Sequence, residues 1–177
     1  KQLDFYNKFV HEFIPIVQTM AQRGVRVDTV RQEALRTLHK QQKANAIKLC
    51  QFITNDEHFN PLSPLQVGPQ LNTDEHTLLN IIGKASTSDE LANLAQAVLD
   101  VRKHTKRLST YVEVSYDNDN RIRPFYNIAG TETGRWSSSK NPFGTGTNLQ
   151  NWPKDMRAML IPDEGCYFLD IDLSQAE

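Results

Sequence analysis

Apolar residues return at helical spacing along the first two thirds of the chain. Phe5, Phe9, Phe13, Ile16 and Met20 share one face of a helix over about residues 5–20, with Pro15 placed to kink or break it. RGVRVD (residues 23–28) reads as a turn at Gly24, a short strand, and a cap in which Asp28 or Thr29 accepts the first unpaired helical amides. The helix that follows, about residues 29–53, is long and polar, and its thin apolar stripe predicts that it projects into solvent. In FNPLSPLQVGPQL (residues 59–71) Ser63 caps a short helix with Pro64 at its first position. Another short helix covers about residues 74–82 and ends at Gly83. Thr87 and Glu90 have the spacing of a capping box. They precede a helix over about residues 89–114, where Leu91, Leu94, Ala95, Val98, Leu99, Leu108, Tyr111 and Val112 hold one apolar face. From Arg121 the pattern changes. RIRPFYNIAG reads as one strand, AMLIP (residues 158–162) as a second and YFLDIDL (residues 167–173) as a third. The expected fold class is α+β, with a mostly helical region over residues 1–115 and a mostly β region over 116–177.

Composition narrows the class. The chain has 177 residues, 38% of them hydrophobic, which suffices for a packed core. Its net charge is −1, so any nucleic-acid contact must come from local patches. No apolar run has membrane-spanning length and no signal peptide is visible, so no membrane partner is expected. Cys50 and Cys166 stand alone, without metal-ligand spacing, which fits a reducing compartment. The chain starts without Met and stops inside a motif, and so reads as a piece of something larger.

The chemistry-bearing residues crowd into residues 131–177. In an extended YFLDIDL segment, Leu169, Ile171 and Leu173 point to one face and Asp170 and Asp172 to the other. Two carboxylates one pleat apart suit a hard divalent cation that also holds phosphates. The same pair also suits the wet side of an ordinary half-exposed strand, and D-x-D alone does not separate the two readings.

Three motifs in order do. TETGRWSS (residues 131–138), NLQNWP (148–153) and DLSQAE (172–177) resemble the family A DNA polymerases, the DNA polymerase I type. That family carries T-x-T-G-R-[hydrophobic]-S-S, a variable gap, N-L-Q-N-[hydrophobic]-P, and a strand ending D-Y-S-Q-I-E. The helical half is similar as well. FIPIVQTMAQRGVRVD looks like the lead into the thumb, FNPLSPLQVGPQL like a stretch within it, and RKHTKRLSTYVE like the end of the long thumb helix. Two departures stand out. The gap at residues 139–147, SKNPFGTGT, is longer than in bacterial members, and the segment between Leu71 and Leu91 is shorter.

The resemblance implies a helical thumb followed by the first antiparallel strands of a polymerase palm. It implies nucleotidyl transfer to a primer 3′ end, with primer–template DNA and deoxynucleoside triphosphates as partners. Asp172 would be the catalytic carboxylate. It would bridge two Mg²⁺ ions, helped by the backbone carbonyl of Leu173, a position usually aromatic in the family. Asp170 lies outside the family's motif. Glu177, with Ser174 and Gln175, would select the sugar of the incoming nucleotide by excluding a 2′-hydroxyl. A ribonucleotide-polymerising relative is the weaker reading for that reason. Arg135 would reach minor-groove acceptors, which all four correct base pairs share. Asn148, Gln150 and Asn151 would contact the primer–template, with local turn bonding as the rival reading. Arg102, Lys103, Lys106 and Arg107, with His104 among them, would meet DNA phosphates or else form a solvated face. Trp136 and Trp152 read as core anchors. The remainder of the polymerase is the implied partner for a complete site, so residues 1–177 alone are expected not to polymerise. The rival of another class is a non-catalytic DNA-binding piece, or the amino-terminal half of a split enzyme. The expected location is the cytoplasm, or the host cytoplasm for a viral source, with an organelle also compatible.

Overall fold

Pro15 does not break the first helix. In the computed structural model, which describes residues 2–84, 87–128, 130–131 and 135–171, the chain is helical from Gln2 to Arg23. Helix α1 (Gln2–Phe5) leads into a π-helical segment, Tyr6–Val10, and then α2 (His11–Arg23), with Pro15 inside it. A proline removes one amide donor and crowds the carbonyl four residues back, and here the wider π-turn lies immediately before that crowded turn. The apolar stripe is less buried than its spacing predicts. Val17 is buried and Phe13 partly so, while Ile16 and Met20 are exposed. The side chains of Phe5 and Phe9 lie outside the described ones.

Gly24 ends α2 at φ +61°, and a Cβ there would sit 2.6 Å from the Ile122 carbonyl oxygen. That close approach seats β1 (Val25–Val27) against β2 (Arg121–Ile122). Strand β1 is central in an antiparallel sheet of order β2–β1–β5, where β5 is Leu160–Ile161. Val25 lies opposite Ile122, and Val27 opposite Leu160. The expected RIRPFYNIAG strand is two strands, because buried Pro124 cannot donate to a ladder. Its second part, β3 (Phe125–Asn127), pairs with β4 (Ser137–Ser139) in a separate hairpin. Trp152, Met156 and Met159 are buried after it, Met156 within the short helix α7 (Lys154–Arg157) and the other two flanking it.

The third expected strand does not form in its described part. Residues 167–171 are irregular, with Leu169 82% and Ile171 75% exposed. A strand is held by its ladder, and among the described residues none pairs with this segment. Its continuation, Asp172 and Leu173, lies outside the described residues.

Asp28 caps α3 (Thr29–Thr54) as expected, its Oδ1 accepting from the amides of Val30 and Arg31 at 3.0 Å each. Two compact units result, and the chain passes between them inside α3: residues 1–32 with 114–177, and residues 33–113. This differs from a division at 115. The amino-terminal helices belong with the β-rich half, because β1 supplies the middle of its sheet.

The 33–113 unit is helical. Its core gathers Cys50, Val67, Leu78, Leu94, Ala95, Ala97 and Val98 from α3, α4 (Pro64–Val67), α5 (Glu75–Gly83) and α6 (Asp89–Lys106), with Phe59 and Leu71 from the loops on either side of α4. Pro64 opens α4 as expected, but the Ser63 side chain makes no capping bond. Asp74 caps α5, accepting from the Thr77 amide at 2.9 Å. The α6 cap is Ser88 rather than Thr87, with its Oγ accepting from the Leu91 amide at 3.3 Å. The expected continuous helix to residue 114 instead becomes π-helical at Arg107–Val112. Burial pushes the Cys50 thiol up to about 11.

Candidate nucleic-acid interface

Two of the sequence motifs meet in the β3–β4 region. Strand β4 carries Ser137–Ser139, and Asn148 opens a 3-10 turn, Leu149–Asn151. Buried Ser138 donates through Oγ to Asn148 Oδ1 at 3.0 Å. The same Oδ1 accepts from the Gln150 amide at 3.0 Å, as an N-cap does. Gln150 Nε2 donates to the Trp136 carbonyl at 2.9 Å. Asn148 and Gln150 therefore do the local bonding that the sequence left as a rival reading. These bonds use Oδ1 of one and Nε2 of the other; the opposite ends of the two amides, Asn148 Nδ2 and Gln150 Oε1, take no part in them. Asn151 is exposed.

Arg135 is exposed two residues before β4, and its carbonyl accepts from Thr131 Oγ1 at 2.8 Å. Trp136 meets Phe13 edge-on, with ring centroids 5.2 Å apart at 79°. The segment that presents Arg135 is thus fixed on one side by an aromatic contact to α2 and on the other by Gln150. Trp152 is 2% exposed and serves as the core anchor expected of it. Glu132, Thr133 and Gly134 lie outside the described residues, as do Asp172, Leu173, Ser174, Gln175 and Glu177. Asp170 is exposed in the irregular segment. Among the described residues no group of three or more His, Cys, Asp or Glu side chains could hold a metal ion.

One member of the basic run on α6 turns inward. His104 is buried, with its Nδ1 2.9 Å from Nδ1 of His39, so one ring donates and the other accepts. Arg102 donates to the Thr73 carbonyl at 2.7 Å and so ties α6 to the start of α5. Lys103 and Lys106 are exposed, and Arg107 is partly buried.

Sequence reasoning missed the role of Arg121 and Arg123. Arg121 Nη1 donates to the Arg23 carbonyl at 3.2 Å and Arg123 Nε to the Gln22 carbonyl at 2.7 Å, so both cap the carboxyl end of α2. Arg121 also pairs with Asp163. Arg123 pairs with Asp117 at 2.6 Å and Asp119 at 2.5 Å. The guanidinium of Arg123 holds the Asp119 carboxyl below the usual range, and the two carboxylates raise the Arg123 value in turn. Their alternation with apolar residues in RIRP was the available signal: charged side chains on a strand edge beside a helix end. Tyr126 on β3 is pushed up by burial.

With this geometry in hand, the relatives decide the family. The model of DNA polymerase family A matches residues 25–177. The chain belongs to DNA polymerase family A. It is 31% identical over 192 residues to the DNA polymerase I of Synechocystis sp., covering 92% of this chain and 18% of that protein. It is 29% identical to the DNA polymerase I of Caldicellulosiruptor bescii, covering 97% of this chain and 22% of that one. A DNA polymerase of Escherichia phage T5 is 35% identical over 102 residues, which is 52% of this chain and 11% of that protein. Among solved structures, the POL domain of Pol1 from M. smegmatis, in complex with DNA primer-template and dNTP, superposes with a TM-score of 0.66 at 25% identity. That match covers 81% of this chain and 27% of the other. The chain thus spans about a fifth of the length of these bacterial relatives. Among the described residues no helix is long and apolar enough to cross a membrane.

Proposed function

We propose that this chain carries the thumb and the first part of the palm of a template-directed DNA polymerase. The observation that carries the reading is the family match over residues 25–177, which spans all three motifs. The hydrogen-bonded meeting of the Arg135 and Asn148–Asn151 segments supports it further. A solved relative bound to primer-template and dNTP supports the same ligands here.

In this reading Arg135, exposed beside β4, reaches the minor groove near the primer end, where acceptors are common to every correct pair. Trp136 and Phe13 hold its backbone still. Asn148 and Gln150 keep β4 and the 3-10 turn together while Asn148 Nδ2 and Gln150 Oε1 face the primer–template. Exposed Lys103 and Lys106 contribute sequence-independent phosphate attraction, with Arg102 and Arg107 beside them. Glu177, with Ser174 and Gln175, excludes a 2′-hydroxyl from the incoming nucleotide.

Polymerases of this family generally use divalent metal ions. The donor set here fits Mg²⁺: the Asp172 carboxylate and the Leu173 carbonyl are both hard oxygen donors. When bound, such ions supply neutralisation of the charge that builds on the phosphates during transfer. The implied partners are primer–template DNA, deoxynucleoside triphosphates and the rest of the polymerase. The two thiols are free, which fits a reducing cytoplasm, that of a cell or of a virus's host.

The test is Asp172→Asn in the complete polymerase that carries this sequence. Primer extension should fall by at least about 10³-fold, the scale expected when charge stabilisation in the transition state is removed. Affinity for primer–template should stay within a few fold of the parent. Retained extension, or loss of DNA binding in step with loss of activity, would remove Asp172 from the catalytic role.

A further inference from the structure

Residues 139–147, SKNPFGTGT, join β4 to the Leu149–Asn151 turn, and nothing above uses them. They are built as a fixed pedestal centred on Asn141. Asn141 Oδ1 accepts from the amides of Phe143 at 3.0 Å and Thr145 at 3.1 Å. Its Nδ2 donates to the Arg123 carbonyl at 2.9 Å and to Thr145 Oγ1 at 2.8 Å. Thr145 Oγ1 in turn donates to Asp117 Oδ1 at 2.9 Å. The Gly146 amide donates to the Ser115 carbonyl at 3.0 Å. Gly146 has φ +81°, and a Cβ there would lie 2.6 Å from the Arg123 carbonyl oxygen, so the loop rests directly on the backbone linking β2 to β3. On this support Phe143 is 91% exposed, with Lys140 and Pro142 also exposed.

A large aromatic in water, on a loop already ordered, loses little conformational entropy when a partner meets it. We infer that Phe143 is a contact to the primer–template DNA, its ring stacking on a base or sugar while Lys140 meets a neighbouring phosphate. The inference rests on the polymerase reading, and three observations choose DNA. Both ends of the loop run into the segments proposed to lie on DNA, and those segments are bonded to each other at 3.0 and 2.9 Å. The loop's one formally charged residue, Lys140, is positive and so complements a phosphate backbone. Within the loop the exposed apolar surface is Phe143 and Pro142 alone, whereas a protein partner would ask for a wider apolar core. Every nucleotide offers a face to an aromatic ring, so the contact tolerates any sequence, as a polymerase requires.

The test uses the complete polymerase and a labelled primer–template over a salt series. Phe143→Ala should weaken binding about 5- to 150-fold, the range for loss of one base stack, with the slope of log K against log salt unchanged. Lys140→Ala should lower the magnitude of that slope by about 0.9, one phosphate contact. Phe143→Trp should bind as the parent does, and its added fluorescence should be quenched by DNA. Parent-like binding by Phe143→Ala, or no quench beyond the parent's own in Phe143→Trp, would overturn the inference and leave the polymerase reading intact. Failure of the parent itself to bind primer–template would remove both.

Discussion

Single side chains here are mostly committed to holding backbone in place, and their partners explain which were readable in advance. Asp28 sits directly before an apolar-periodic run and caps it, as its position says it should. Ser88 displaces Thr87 as a cap by one residue, a shift that sequence spacing alone does not resolve because both side chains can accept. Asn148 and Gln150 show the limit more sharply. Their motif marks them, but the bond from Ser138 and the one to the Trp136 carbonyl depend on how the β3–β4 hairpin folds back. His104 reads as part of a basic run and is instead buried against His39, a residue on another helix.

Asp74 gives a pH-dependent prediction at this scale. Bonds from the Thr77 amide and hydroxyl hold its carboxyl below the ordinary Asp value of 3.8. A depressed carboxyl stabilises the fold at pH values above its unfolded pKa, and that contribution disappears as the pH falls through its lower folded value. Asp74→Ala should therefore melt at a lower temperature than the parent at pH 7. The gap should close as the pH is taken below 3.8, and thermal melts at a series of pH values check this. A gap that persists unchanged in acid would mean the carboxylate is not what caps α5.

At the scale of elements, the helices were legible from their apolar periods, and the strands at residues 25–27, 121–127 and 160–161 were legible as elements, but which strands pair was not. Val25–Val27 is only three residues, yet it is the middle of a sheet whose other strands come from far along the chain. Residues 167–171 carry a clean alternation and still form no strand, because alternation names a face but does not supply a pairing partner. The join between α2 and the sheet is likewise non-local. Arg121 and Arg123 reach back about a hundred positions to the last carbonyls of α2. Arg123→Ala removes that cap together with its pairs to Asp117 and Asp119. It should cost about 1–3 kcal/mol, the range for hydrogen bonds to a partly solvated charged group. Denaturant melts of the parent and variant measure this, and a change under about 0.5 kcal/mol, the size of an ordinary surface substitution, would show the cap to be incidental.

For the whole molecule, the sequence motifs carried the family and the fold class, and the folded chain revealed how it is partitioned. Gly24 and β1 interrupt the helices before α3, but nothing local says that residues 1–32 pack with the β-rich half rather than with the helices after them. Only the sheet assigns them to the β-rich unit. The motif that bears Asp172 and Glu177 was legible as sequence alone. The geometry around Arg135, Asn148 and Gln150 needed the folded hairpin.

The most direct measurement is primer extension by the complete polymerase on several templates of different sequence, with all four deoxynucleoside triphosphates and Mg²⁺ supplied. The products should complement each template, grow from the primer 3′ end, and contain deoxynucleotides in strong preference to ribonucleotides. Products independent of the template, or tight primer–template binding with no extension on any template, would exclude template-directed synthesis.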